Sequence, residues 1–505
     1  MKIEVVDEET GKPTPARVSL IDERGKAWVA EDALPVAADC AEPFPPKYGP
    51  SSRLPPDGKS VWNPYTDEVQ FYVDGTARAS LPPGRYRATA YKGLEYAPTT
   101  TTVTVPESGT VQARLALRRW INMPERGWIG SDDHLHISRT SPDDDERIAM
   151  WMQAEGLDVA NLLQMGTPHG IGAAPQRDFG KASVFRRGES RLVSGQENPR
   201  TTNFGHSIIL GASTYIDFLK SYLVYGDFFR AAAQEGALSG YAHFGTSGAR
   251  NGLAVDAPRG EIDFLEVLQV QELETQVLYE MWNLGFALTP TAGTDYPCGG
   301  IASLPGQERF YTQIEGNPSY ETWLAGLGAG RTFVTNGPML AFTVDGHGPG
   351  ASIELAAPGT VDVVAEVRFD PATDRIDALE LVRGGEVIAR ATEMKEPGRI
   401  ALVGSPMMER SAWLALRATG TKVRTGVGGE HLPAKGHTAQ VRVVVRGTPS
   451  VAEQPAGIEE ARRSLERVNE LEVFVSKARI PEADRVGLLE AIRHAQEAYR
   501  AASKQ

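Results

Sequence analysis

A chain of 505 residues, 41% hydrophobic and 8% aromatic, is too long for one ordinary core and carries enough apolar mass for several. Its 52 Lys+Arg against 65 Asp+Glu give a formal net charge of -13 with no basic block to follow a phosphate backbone, which argues against a nucleic-acid partner. No run reaches the roughly eighteen apolar residues of a membrane span and the opening MKIEVVDEETG has no signal-peptide core, so the expectation is a soluble protein, cytoplasmic or the mature form of an exported one.

Residues 1–119 are expected to form a β-sandwich. Tyr86, Ala88 and Ala90 alternate after the Pro82-Pro83-Gly84 turn, and Val111, Ala113, Leu115 and Leu117 alternate with Gln112, Arg114, Ala116 and Arg118. The segment 34–67 breaks the pattern with many prolines, Cys40 and Trp62. It reads as a long ordered loop, expected to wall the active site or to make a homodimer contact. Cys40 and Cys298, the two cysteines, supply neither a disulfide framework nor a C-x-x-C metal ribbon.

Between 120 and 338 short apolar runs interleave with helical stretches at 144–155 and 215–235, the texture of a parallel sheet or barrel. A second β-sandwich is expected over 339–450, where Val361, Val363, Ala365, Val367 and Phe369 line one face and Ala439, Val441, Val443 and Val445 another. The tail, 451–505, reads as two helices that dock on the barrel or on a partner subunit. The first carries Ile458, Ala461, Leu465 and Val468; the second starts at Pro481 and carries Val486, Leu489, Ile492, Ala495 and Tyr499.

The chemistry sits in the central segment. In SDDHLHIS, His134 and His136 stand one residue apart, so on a strand both project from one face toward one ion. Taken alone, such a pair also fits two solvated histidines. Glu197 after RLVSG, His206 in NFGH, His243 after LSGYA and Asp295 after FALTPTAGT then recur where apolar runs stop, the strand ends at which parallel barrels place their sites. Nitrogen and oxygen donors without thiolate suit zinc, manganese or iron.

The order H-x-H, SGQENP with FGH, YAHFG, AGTDYPC and GRTFVTNGPM resembles the CehA/McbA metallohydrolases, a branch of the PHP (polymerase and histidinol phosphatase) superfamily. The stretch 330–338 is its most diagnostic part. The resemblance implies a distorted (β/α)7 PHP-type barrel flanked by the two sandwiches and the helical pair. It further implies two divalent ions, zinc first: one held by His134, His136, Glu197 and Asp295, with Glu197 bridging to a second held by His206 and His243. A T-D-H dyad that would help hold a third ion is missing; Gln164 and Met165 stand near the expected place.

Two such ions would bring the pKa of a shared water from 15.7 toward roughly 7, making hydroxide the nucleophile. Asp295 could take its proton, and His169 in TPHG could protonate the leaving group. Asp132 either orients an imidazole or forms a turn. The substrates expected are small-molecule esters, carbamates or amides, with Phe204, Phe244 and Tyr296 placed to stack on a ring or to fill core. Arg309 and Arg331 either read an anionic group, as in a phosphoester, or are structural. A non-catalytic, metal-stabilised binding protein is the alternative from another class.

Overall fold

The computed structural model describes residues 1–36, 58–168, 170–217, 221–244, 248–298, 303–426 and 429–504. Strands predominate, in several sheets, with α-helices in the central segment and at the C-terminal end.

The N-terminal alternation becomes two facing sheets. Ser60–Asn63, Glu68–Asp74, Pro15–Asp22, Gly84–Tyr91 and Thr99–Val105 form one, antiparallel throughout. Thr76–Arg78, Lys2–Asp7, Gln112–Arg119 and Tyr96–Ala97 form the other. Val18, Leu20, Phe71 and Ala88 of the first meet Ile3, Val5, Leu115 and Leu117 of the second in one core. Of the expected loop 34–67, residues 37–57, Cys40 included, lie outside the described residues, and Trp62 belongs to a strand paired with Val69.

In the central segment Trp128–Leu135, Val159–Thr167 and Ser190–Thr201 are parallel neighbours. Ser190–Thr201 then turns back into Gly205–Leu210, which pairs antiparallel with Leu238–Ala242, and from there Phe264–Gln269 and Thr289–Ala292 follow in parallel. On its other edge Trp128–Leu135 pairs antiparallel with Arg309–Gln313, and that strand with Thr332–Thr335. This pairing is a mixed sheet, its strand direction reversed by the hairpin between 190 and 210.

The first central helix, Pro142–Ala154, starts where its caps dictate. The Asp144 carboxylate accepts the N–H groups of Thr140 and Ser141, and Pro142 occupies a first-turn position that needs no donor. The helix expected over 215–235 is shorter, Tyr225–Gln234. The backbone of Ile216 is tied instead by amide side chains, its N–H by Gln196 Oε1 and its carbonyl by Gln196 and Asn198. Those bonds fasten it to the strand that carries Glu197 and compete with helical ones.

Thr332–Thr335 also pairs with His431–Thr438, so the same sheet continues through Ala412–Thr425, Asp374–Arg383 and Val441–Val445. Against it lies the sheet Met339–Val344, Val363–Arg368, Arg399–Gly404. Val363, Ala365 and Val367 meet Leu379, Leu414, Leu416, Val441 and Val443 in the core between them.

Helices Pro455–Lys477 and Glu482–Ala502 pack on each other and on Ala249–Asp256, and Ala461, Val468, Ile492, Ala495 and Tyr499 join the central core. Val486 is 53% exposed and Leu488 turns inward instead, because Leu488, Ile492, Ala495 and Tyr499 share one stripe that lies about 200° around the helix from Val486. No helix among the described residues is long and apolar enough to cross a membrane.

Candidate metal centre

His134 and His136 sit at the end of Trp128–Leu135 with both rings on one face, Nε2 to Nε2 at 3.1 Å. Each ring is fixed through its other nitrogen. His134 Nδ1 lies 2.6 Å from Glu266 Oε2, and His136 Nδ1 3.1 Å from the Leu163 carbonyl oxygen. An imidazole that donates from Nδ1 presents the Nε2 lone pair inward, the arrangement by which protein groups orient metal-ligating histidines. Glu266 was not singled out from the sequence. Its signal is an acid inside the wholly buried strand Phe264–Gln269.

Glu197 is not at a strand end, as expected, but within Ser190–Thr201, between Met165 on one side and Ile208 on the other. His206 opens the next strand. Because Gly205–Leu210 runs antiparallel, its beginning reaches the same end of the sheet as the finishes of the parallel strands. His243 and Asp295 follow Leu238–Ala242 and Thr289–Ala292, and both have left-handed backbones, φ 33° and 53°. Non-glycine residues occupy that region at a cost, so packing must hold these two side chains in place. Gly293 permits the approach: a Cβ there would stand 2.5 Å from both Asp133 Oδ1 and His134 Cβ.

The six residues anticipated as ligands are thereby brought together. His136 Nε2 is 3.1 Å from Asp295 Oδ1 and 3.5 Å from Glu197 Oε2; His134 Nε2 is 3.4 Å from Asp295 Oδ1 and 3.7 Å from Glu197 Oε1. Glu197 Oε1 is also 2.6 Å from His206 Nδ1 and 3.5 Å from His243 Nε2. Donors about 2.0–2.1 Å from a shared ion stand about 3.0–3.5 Å apart along the edges of its coordination polyhedron. Most of these separations match such edges, and several exceed good N–H···O hydrogen bonds. No well-formed hydrogen bond satisfies either Glu197 oxygen. The residues form overlapping groups able to hold metal ions, namely His134, His136 and Glu197; Glu197, His206 and His243; and His134, His243 and Asp295.

The charge balance agrees with a cation. Asp132, Asp133, Glu197 and Glu266 are at most 1% exposed, and the Asp295 side chain is 16% exposed at the rim. Burial pushes Glu197 and Asp295 up, but His206 and Arg200 around the first, and His134 and His136 around the second, outweigh it and hold both below the usual carboxylate range. Asp133 and Glu266 are driven well above that range, chiefly by burial and then by neighbouring carboxylates.

The other candidate residues take mainly structural places. Asp132 orients no imidazole. It accepts the N–H groups of His134 at 2.9 Å, Thr294 at 3.2 Å and Gly306 at 2.9 Å, together with the Thr294 hydroxyl at 2.7 Å, pinning the ligand-bearing backbones to one another. Phe204 packs tilted against Tyr225 and Tyr296 edgewise against Trp151, and Phe244 is buried in the central core, so all three fill core. Arg331 pairs with Glu315, and Arg309 donates to the carbonyls of Gly306, Gly156 and Glu155. Gln164 accepts the Gln176 N–H, and the Met165 sulfur lies 3.6 Å from Arg200 Nη1, so neither offers a further ligand. Cys298 Sγ comes within 4.8 Å of His136 and Asp295 donor atoms, yet it is disulfide-bonded and offers no thiolate. His169 lies outside the described residues.

No family model and no curated protein matches the chain.

Proposed function

We propose that the protein is a metal-dependent hydrolase of small-molecule carboxyl ester, carbamate or amide bonds, a member of the CehA/McbA branch of the PHP superfamily built on a distorted PHP-type barrel. The observation that carries this is Glu197, whose two oxygens face different donor groups: Oε2 toward His136, Oε1 toward His134, His206 and His243. In this reading His134, His136 and Asp295 would hold one divalent ion and His206 and His243 a second, zinc before manganese or iron, with Glu197 between the two sets. Such a pair supplies a water deprotonated near neutral pH and a Lewis-acidic pole for a carbonyl oxygen.

The chain's own groups do the rest. Glu266 and the Leu163 carbonyl hold the two buried imidazoles in register. Asp295, held below the usual carboxylate range and partly open to solvent, would accept a proton from the attacking water. Arg200, whose side chain is 12% exposed and whose Nε is 3.2 Å from Glu197 Oε2, puts a positive charge beside the cluster where a developing oxyanion would feel it. That same guanidinium favours phosphoester hydrolysis as the second reading.

The test is elemental analysis together with turnover of p-nitrophenyl acetate and p-nitrophenyl phosphate by zinc- or manganese-loaded protein. Two ions per chain and acetate turnover are expected, both lost in His134→Ala and His243→Ala with the N-terminal sheets still folded by circular dichroism. Phosphate turnover alone would replace the ester reading with the second one. A single enclosed ion without turnover would favour a binding protein, and full activity in either variant would remove the metal assignment.

A further inference from the structure

The six grouped donors are nitrogens and oxygens, yet one sulfur stands beside them. Cys298 Sγ, a His136 ring nitrogen and an Asp295 carboxylate oxygen lie within 4.8 Å of one another. The main chain sets that approach. His136 donates its N–H to the Tyr296 carbonyl at 2.7 Å, Leu135 and Tyr296 form a parallel bridge, and half-buried Cys298 follows two residues later. The sulfur is thus held against the strand that bears both histidines. The same centre carries an independent sign of a cation: Glu197 is 1% exposed, neither of its oxygens has a well-formed hydrogen bond, and Oε2 lies 3.5 Å from His136 Nε2.

Cys298 is disulfide-bonded. A disulfide sulfur is uncharged and a poor ligand, whereas a thiolate is a strong, soft one that suits zinc. Zinc bound by a thiolate at ~2.3 Å and an imidazole at ~2.0 Å, at a tetrahedral angle, sets sulfur and nitrogen about 3.6 Å apart. The separation here exceeds that by at most about 1.2 Å, which rotation about one side-chain bond of a released cysteine covers. Catalytic zinc sites keep one coordination position open to solvent. A thiolate arriving from the Asp295 side would fill it.

We propose that Cys298 is a redox-gated metal ligand: as a disulfide it leaves the ion of His134, His136 and Asp295 open, and as a thiolate it closes that ion's coordination. The redox step is thiol–disulfide exchange with a dithiol. The protein disulfide gains two electrons and two protons and becomes two thiols, and the dithiol becomes its own disulfide. The Cys298 thiol then gives its proton to solvent as the sulfur binds the ion. The proposal rests on the metal-centre reading and is independent of which bond the enzyme cleaves.

The test compares the whole protein purified in air with the same protein reduced by a phosphine and freed of it without air, and uses cobalt(II) as the probe. Thiol titration should find no free thiol before reduction and two per chain after it, the full cysteine content. Cobalt in the reduced parent should give a sulfur-to-metal charge-transfer band in the near ultraviolet, absent from the oxidised parent and from reduced Cys298→Ser. Chelator competition should show zinc held about tenfold or more tightly by the reduced than by the oxidised parent, and manganese, a poor partner for sulfur, changed less than about twofold. The oxidised parent serves as the control if Cys298→Ser misfolds. Free thiols before reduction, a reduced parent that binds cobalt without the band, a band that persists in Cys298→Ser, or equal zinc affinity in the two redox forms would each overturn the role of Cys298 and leave the metal centre standing. Cobalt bound by neither form would remove the metal centre, and this ligand with it.

Discussion

Two buried polar regions of this molecule treat charge in opposite ways. At the junction of the N-terminal sheets with the first central helix, Glu155 receives hydrogen bonds from the Arg17 guanidinium and the Tyr72 hydroxyl, so a buried carboxylate faces a buried cation. At the sheet's mouth His134 and His136 aim nitrogen at nitrogen, neither Glu197 oxygen has a well-formed hydrogen bond, and Asp133 and Glu266 lie among further carboxyls. In the first, side chains supply both partners of the ion pair. The second is complementary to something that is not a side chain, which separates a structural ion pair from a site.

Removing one member from each region should therefore fail differently. Glu155→Leu strands Arg17 in a buried environment and is expected to cost about 3–5 kcal/mol in urea unfolding, with metal content unchanged. A stability loss under 1 kcal/mol would place Glu155 outside the load-carrying junction. Glu266→Gln should do the reverse, weakening metal binding about 10–100-fold through a mis-set His134 ring while unfolding shifts little. Competition against a chelator measures it, and parental affinity would reduce Glu266 to a packing residue. The smallest effect belongs to a hydrated charge, which calibrates both. Burial slightly raises the Asp144 carboxyl, but the N–H groups of Ser141 and Thr140 outweigh it and bring it down to about 2. With an unfolded value near ~3.9, its contribution of about 1 kcal/mol is present above that pH and is lost as pH falls toward 2. Acid unfolding of Asp144→Asn should converge with the parent there, and a gap persisting below pH ~2 would point to the cap geometry rather than the charge.

Much of the mouth could be read in the chain because its physics is local. Period two puts His134 and His136 on one face wherever that strand lies, and apolar runs ending in His243 and Asp295 mark strand finishes. Glu266 escaped because its partner is 132 residues away and only the burial of its strand makes its charge notable. Glu197 lies within its strand because the ladder with Gly205–Leu210 runs on past it to Thr201, and the segment before the shortened helix is held by Gln196 and Asn198 gripping Ile216, contacts with no sequence period. The left-handed backbones of His243 and Asp295 were equally hidden, since that conformation usually announces itself by glycine or asparagine.

The seam between Thr332–Thr335 and His431–Thr438 joins the C-terminal strands to the ligand-bearing sheet by main-chain hydrogen bonds. A cut placed just after Pro338 would leave a bare row of amides and carbonyls along Thr332–Thr335, an invitation to self-association. Shuffling or trimming of this polypeptide is thus constrained at a point where hydropathy alone would suggest a harmless hinge: whatever follows residue 338 must bring a strand able to close that border.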